Sequence, residues 1–293
     1  MRESASGKLF NIFNYTFLSV MTLTFIVPFL ILLSTSLVSE QELIRRGSFI
    51  LIPEKIDVTA YKTLLSQGSA LYKSYWISIL RTTVGTSLNL IFTATMAYGI
   101  SRTTLPGRNI IITLVFISML FSGGLVPTYL LMKFLHLTNT FWVMILPSLI
   151  SAWYLLIMKS FFSQIPESLE ESAVLDGASP LRVLVSIIVP ISMPMLVTIG
   201  LFYGVTHWNA WFDATIYITN PDLMPVQVFL RRIVLTMTNQ DLDSAILLNM
   251  NERATPQALR GAMIMITTVP IMCVYPFLQK HFIKGVLVGS VKG

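Results

Sequence analysis

The sequence predicts an all-α protein, a polytopic bundle of six membrane-spanning helices. Three observations carry that expectation. Of 293 residues, 54% are hydrophobic and only 12% charged, whereas a soluble domain carries roughly 25% charged residues. Apolar runs of spanning length recur along the whole chain. Within its apolar later half stands one long polar interruption, Pro166 to Pro190.

Taken in order, the first span is read at Phe13 to Leu37. It lacks a small-residue cleavage site, so a retained helix is expected rather than a signal peptide. A polar loop over about 38–74 follows. The second span is Tyr75 to Ile100, carrying Arg81, and a short basic loop with Arg102, Pro106, Gly107 and Arg108 comes next. The third is Asn109 to Lys133, interrupted by Gly123-Gly124 and Pro127. The fourth is Thr140 to Phe162. After the acidic interruption the fifth runs from Ile187 to Ile218, long enough to tilt or to kink at Pro190 and Pro194. A second long loop over about 219–260 precedes the sixth, Gly261 to Leu278, and a basic tail ends the chain. The whole is expected to form one membrane domain, 1–293.

Six spans put both termini on one side, with the short basic loop and the acidic interruption. Lys and Arg divide almost evenly between the two sides. The short segments are basic on the terminal side (Arg2, Lys8, Arg102, Arg108, Lys159, Arg182, Lys280, Lys284, Lys292), and long loops count less in the positive-inside rule. The termini are therefore expected in the cytoplasm. The net charge of +6 needs no nucleic acid to explain it. Cys273, the only cysteine, excludes disulfides within the chain and cysteine metal sites.

The interruption has the chemistry of two short helices with a sharp bend. Pro166 suits a first helical turn. Glu167, Glu170 and Glu171 lie near the positive helix end, where carboxylates are favoured. Gly177 suits the left-handed conformation that ends a helix. Ser179-Pro180 then reads as an N-cap and first position of the next helix. A bent, acidic, partly apolar knob of this kind fits a socket on a soluble partner. The rival reading is an amphipathic helix lying on the bilayer.

Glu171-Ser172-Ala173, then Asp176-Gly177-Ala178-Ser179, then Ile187 and Pro190, resembles the EAA loop of ABC-importer permeases. Ser172, Leu184 and Val189 depart from that pattern without removing the bend or the carboxylates. Further blocks resemble the carbohydrate branch of the family: Phe121 to Tyr129, Leu137 to Trp142, His207 to Phe212, and Tyr275 to Lys280 with the Lys284-Gly285 and Val291-Lys292-Gly293 end. The resemblance implies a type I importer fold and a loop, about 164–186, that rests on a cytoplasmic ATPase. It makes Glu167, Glu170, Glu171, Ala173, Asp176, Gly177, Ala178, Pro190, Lys292 and Gly293 candidate coupling residues. The tail could instead be basic anchoring to anionic lipid. The implied partners are a homologous second permease, two ATPase subunits that hold ATP and magnesium, a sugar-binding protein and membrane lipid. The implied cargo is an oligosaccharide, uronate-containing ones such as alginate fragments among them, and the implied location is the bacterial inner membrane.

The residues themselves show no catalytic centre. No phosphate-cradling G-x-x-x-x-G-K-[ST] is present, nor a Gly-x-Ser-x-Gly elbow. His136, His207 and His281 make no metal spacing. The chain is expected to be a transport subunit without cofactor or ATPase site of its own. A sugar path needs aromatic faces beside amides, which makes Trp208, Asn209 and Trp211 candidates, with Trp153 and Tyr154 a weaker pair. Trp208 and Trp211 are three apart and are placed near one helical face. An aromatic belt at the membrane boundary is the alternative. Asp213 beside them is costly in a bilayer unless it faces protein or water. Arg81 reads as a helix-end residue reaching for headgroups, with a cation facing an acidic sugar as the sharper alternative. Gly123-Gly124 either unwinds the third span toward a cavity or marks a helix end or close packing through small residues.

Two other classes compete. An ion-gradient-driven sugar transporter predicts ionisable residues deep within spans, and apart from Asp213 there are almost none. An enzyme acting on lipid-linked sugars predicts a cluster of acids or metal ligands, which is absent.

Overall fold

The computed structural model describes residues 5–47, 49–66, 70–236 and 255–290. Among them every regular element is helical. They form two compact units, Met1–Ser69 with Leu230–Val269, and Ala70–Phe229 with Pro270–Gly293.

In the first unit α1 (Ala5–Thr35) is unbroken despite Pro28. The hydroxyls of Thr22 and Thr24 donate to carbonyls four residues back, at 2.7 and 2.9 Å. This local bond lets a polar side chain sit on an apolar helix without another partner. The loop expected at 38–74 contains α2 (Glu40–Arg46) and α3 (Thr59–Leu64). Buried Glu42 accepts the Glu54 N–H at 2.9 Å and Arg46 Nη1 at 2.7 Å, and so ties the chain after α2 back onto it. The long last helix, here α14 (Pro256–Ser290), meets the end of α1 at Gly261. A Cβ there would stand 3.0 Å from the Leu32 carbonyl and 3.1 Å from the Ser36 amide, so only glycine allows the two backbones to approach this closely.

The second unit is built on α4 (Ala70–Ser101). At 1.5 Å per residue it is about 48 Å long. Around it stand α5 (Arg108–Leu120), α6 (Leu125–Phe134), α7 (Ala152–Phe162), α8 (Glu167–Leu175), α9 (Pro180–Val183), α10 (Val189–Ile191), α11 (Met193–Asn209) and α12 (Phe212–Tyr217). Helix α13 (Val226–Thr236) lies in the stretch expected as a loop. The core joins α4, α7 and α11 through Ala97, Leu155, Met158, Phe162 and Ile199, with Ile188 from the turn before α10. In lipid such contacts hold by close packing, because the hydrocarbon outside is as apolar as the core.

Two of the described helices, over Gly7–Thr35 and Pro256–Val274, are long and apolar enough to cross a membrane. Three more expected spans are bent pairs: Arg108–Leu120 with Leu125–Phe134 at 117°, Phe141–Ser148 with Ala152–Phe162 at 51°, and Pro180–Ile191 with Met193–Asn209 at 86°. The remaining expected span, the second, is α4, whose composition is diluted by polar residues. Ser74, Ser78, Arg81, Asn89 and Thr93 recur along one stripe of it, and all are buried. Polar groups in a spanning helix face protein for this reason.

The breaks refine the expected spans. The third is interrupted where Gly123-Gly124 was expected to interrupt it, since residues 121–124 leave the helical path and Gly124 takes φ +84°. Close packing is not its cause: a Cβ on Gly123 would meet nothing within 4 Å, and one on Gly124 only Pro127. The fourth span starts as two 3₁₀ turns, Phe141–Met144 and Leu146–Ser148, where Pro147 has no amide hydrogen to continue a ladder. The fifth breaks at Ser192, between the two prolines expected to kink it, after a π-helical stretch Leu184–Ile188. It breaks again at extended Ala210. Trp208 and Trp211 therefore do not share a helix face.

The candidate coupling loop and the polar spine of α4

Helix α8 begins one residue later than Pro166 suggests, with that proline as the cap. Its end is as expected. Gly177 takes φ +80°, its amide donates to Val174 O, and Ala178 N donates to Ala173 O, both at 2.9 Å. This paired closure satisfies the last carbonyls of the helix and turns the chain sharply. Ala173 and Ala178 pack against the core beside the turn. Ser179 Oγ accepts from Arg182 N at 3.4 Å and caps α9, with Pro180 at its first position.

The acidic residues of the loop divide into two sets. Glu167, Glu171 and Asp176 are exposed, and so are Leu175 (88%) and Leu181 (66%). Glu170 turns inward. It forms an ion pair with Arg102 in which both side chains are largely buried, and its Oε2 accepts the Tyr98 hydroxyl at 3.2 Å. The Arg102 guanidinium also lies 4.7 Å from the Tyr98 ring centre. Pro190 stands in α10. Lys292 and Gly293 lie outside the described residues.

The other end of α4 carries a second polar group. Arg81 is 2% exposed, which corrects the expectation of a side chain reaching for headgroups. It forms an ion pair with Asp213, with Nη1 3.2 Å from Oδ1. It also donates to Ala210 O at 3.3 Å and Met144 O at 3.2 Å. Both carbonyls sit at breaks in the surrounding spans, where a helical partner is missing. Asp213 in turn accepts the Ala214 amide at 2.8 Å in the first turn of α12.

The same logic repeats along the helix. Asn89 Nδ2 donates to Ser148 O at 2.7 Å and Leu149 O at 2.9 Å, while its Oδ1 meets His207 Nε2 at 2.8 Å. Thr93 Oγ1 lies 2.9 Å from the Tyr203 hydroxyl, and that oxygen accepts the Ser151 amide at 3.0 Å. Gly85 clears space for His207, since a Cβ there would stand 2.6 Å from Nε2. Side chains of α4 and α11 thus satisfy backbone groups exposed by the break before α7, as irregular backbone at membrane depth requires.

The aromatic candidates are scattered over this frame. Trp208 is buried, edge-on to Tyr75 at 5.7 Å. Asn209 is exposed as the last residue of α11. Trp211 lies beyond the Ala210 break, half-buried and edge-on to Phe212 at 5.5 Å. Tyr154 stacks on Phe202 at 5.8 Å and meets Tyr203 edge-on at 4.9 Å. Trp153 beside it is 60% exposed.

Sequence reasoning gave no structural role to Asn89, Thr93, Tyr98, Arg102, His207 and Asn139, although Arg102 was read as a loop charge and His207 and Asn139 lie in the blocks that resemble the carbohydrate branch. The first two were signalled by the three-and-four spacing of polar residues that α4 shows. Asn139, in the left-handed region at φ 60°, had no such signal. Its amide donates to Tyr217 O at 2.8 Å, and its Oδ1 accepts from Thr219 N and Asn220 N at 3.1 and 2.8 Å. Among the described residues no group of His, Cys, Asp and Glu is placed to hold a metal ion.

No protein-family model matches the chain. It is 40% identical over 289 residues to the polygalacturonan/rhamnogalacturonan transport system permease protein YtcP of Bacillus subtilis (strain 168), covering 98% of this chain and 99% of that one. It is 43% identical over 298 residues to protein LplC of the same organism, covering 100% and 98%. Among solved structures it resembles a chain of a bacterial ABC transporter involved in the import of the acidic polysaccharide alginate. The TM-score is 0.88 at 27% identity, with 96% of this chain and 99% of that chain covered.

Proposed function

The chain belongs to the permease subunits of sugar ABC transporters, and from that premise we propose that it imports acidic oligosaccharides of the pectin or alginate type. ATP would be hydrolysed on two separate subunits, with none hydrolysed by this chain. A homologous second permease would complete the channel, and a binding protein would deliver the sugar at the outer face. The chain would lie in the cytoplasmic membrane with both termini inside. The likeness to a polygalacturonan/rhamnogalacturonan permease and to an importer of the acidic polysaccharide alginate supports the choice of sugar.

The observation that carries the mechanism is the α8–Gly177–α9 turn. It presents Glu171 and Asp176 beside bare Leu175 and Leu181. Exposed apolar residues ringed by carboxylates suit a socket with an apolar floor and a basic rim. Closure of the ATPases would move this knob and rock the spans between outward- and inward-open states. Trp211, Asn209, Trp153 and Tyr154 are the candidate path residues, whereas Trp208, buried edge-on to Tyr75, supports the fold. A proton- or sodium-driven transporter is disfavoured because Asp213, the acid deep in a span, is already paired with Arg81.

Glu171→Lys tests the assignment. The variant should insert normally yet lose ATP-dependent uptake of galacturonan oligosaccharides, because a like charge now faces the socket. Wild-type uptake together with wild-type stimulated ATP hydrolysis would place the socket elsewhere.

A further inference from the structure

The acidic residues of the coupling loop do not all face outward, and the one that turns in sits at a mechanical joint. No residue of α8 is fully buried. It is joined to the bundle by Ala173, packed at the core edge, and by Glu170. Both oxygens of Glu170 are engaged, one by Arg102 and one by the Tyr98 hydroxyl. Arg102 follows the last residue of α4, where a cation complements the negative helix end. Its guanidinium also rests over the Tyr98 ring. Carboxylate, guanidinium and phenol thus form one closed cluster between α8 and the end of α4.

We propose that Glu170 is a positioning residue that carries movement of the coupling loop into α4 through Arg102 and Tyr98, and is not itself a contact to the ATPase. The proposal rests on the coupling-loop assignment above and adds the route inside this chain. A carboxylate already paired at 12% exposure is not available to a cation on a partner without breaking this joint. The helix it grips runs without interruption to Arg81, about 32 Å away at 1.5 Å per residue. There Arg81 holds the broken backbone at Met144 and Ala210. One rigid rod therefore joins the loop to the two breaks nearest Trp211 and Asn209. Loss of the joint leaves α8 able to follow the ATPase without moving the rod.

The test uses the whole transporter in proteoliposomes, with both permeases, the ATPases and the binding protein. The variants are Glu170→Gln, Glu170→Arg, and the exchange pair Glu170→Arg with Arg102→Glu. Readouts are ATPase co-purification, ATP hydrolysis stimulated by the binding protein with galacturonan oligosaccharides, and uptake of those sugars. Glu170→Arg should lower stimulated hydrolysis about ten-fold, within the usual range of coupling between sites. Co-purified ATPase should stay at the wild-type level, and the exchange pair should recover most of the loss. Glu170→Gln keeps the shape of the side chain and should show a smaller loss in the same direction, so the test stands even where the arginine variant fails to insert. An exchange pair no better than Glu170→Arg, a Glu170→Gln variant with full stimulation, or loss of ATPase co-purification in Glu170→Gln would overturn the proposal. A wild-type complex that hydrolyses ATP in response to its binding protein but imports no galacturonan overturns only the sugar assignment.

Discussion

Arg81 shows how far one side chain's role depends on what lies opposite it. It is paired with Asp213, and the two are held by backbone groups on both sides. Removing one partner strands a charge away from water, which costs about 3 kcal/mol or more. Arg81→Leu and Asp213→Leu alone should therefore each lower the melting temperature of the purified permease sharply. The double variant should be milder than the sum, because no stranded charge remains. Strictly additive losses would mean the pair is not formed. Glu42 supplies a pH-dependent case outside the spans. The Glu54 N–H that it accepts, with help from Arg46, holds its carboxyl below the ordinary value of 4.5. Its stabilising contribution is present above that ordinary value and is lost as pH falls through the lower, folded one. Protection from hydrogen exchange across 40–57, corrected for the intrinsic pH dependence of amide exchange, should thus fall on acidification in the wild type and change less in Glu42→Gln. Equal pH responses would remove Glu42 from this role. The sequence marked Asp213 as costly and placed Arg81 at a helix end, and nothing in it paired the two. They stand 132 residues apart, and no local pattern spans such a separation.

Among the elements, the bent acidic loop was legible because its geometry is local. A glycine at a helix end and a Ser-Pro pair dictate backbone angles from adjacent residues alone. Gly177 at φ +80° has open space around it, so a substitution there strains the backbone without creating a clash. Gly177→Val should cost on the order of 1–2 kcal/mol in that conformation, open the turn and reduce stimulated ATP hydrolysis while the protein still inserts. Normal transport by both Gly177→Val and Gly177→Ala would move the functional bend elsewhere. The spanning helices were less legible. Run length placed their apolar stretches, but prolines and glycines mark where a helix can break, not where it does. The fifth span breaks at Ser192, near its prolines, and again at Ala210, which has no breaking chemistry. The second break survives because Arg81 accommodates its carbonyl.

For the molecule as a transporter, the question is which aromatic rings meet sugar. Trp208 is packed edge-on against Tyr75, whereas Trp211 lies past the break and is half-buried. Trp208→Ala should therefore mainly lower stability, by about 3 kcal/mol for a large buried ring. Trp211→Ala should slow uptake several-fold, since stacking contributes on the order of 1 kcal/mol beyond burial. Uptake per inserted transporter, measured for short and long galacturonan oligosaccharides, separates the two. Unchanged rates and unchanged length preference for Trp211→Ala would assign the path to other residues. By itself the sequence determined that the chain is helical and membrane-embedded, that an acidic knob interrupts it, and that the knob bends at Gly177. Those properties follow from composition, run length and the backbone preferences of neighbouring residues, all of which act over a few positions. Only the tertiary structure decided that α4 is the spine, that Glu170 faces inward while Glu171 faces out, and that Arg81 and Asn89 hold the broken backbone of other spans. A polar side chain in an apolar helix must find a partner, and a break must find a donor or acceptor. Which residue answers which is fixed by how the helices pack.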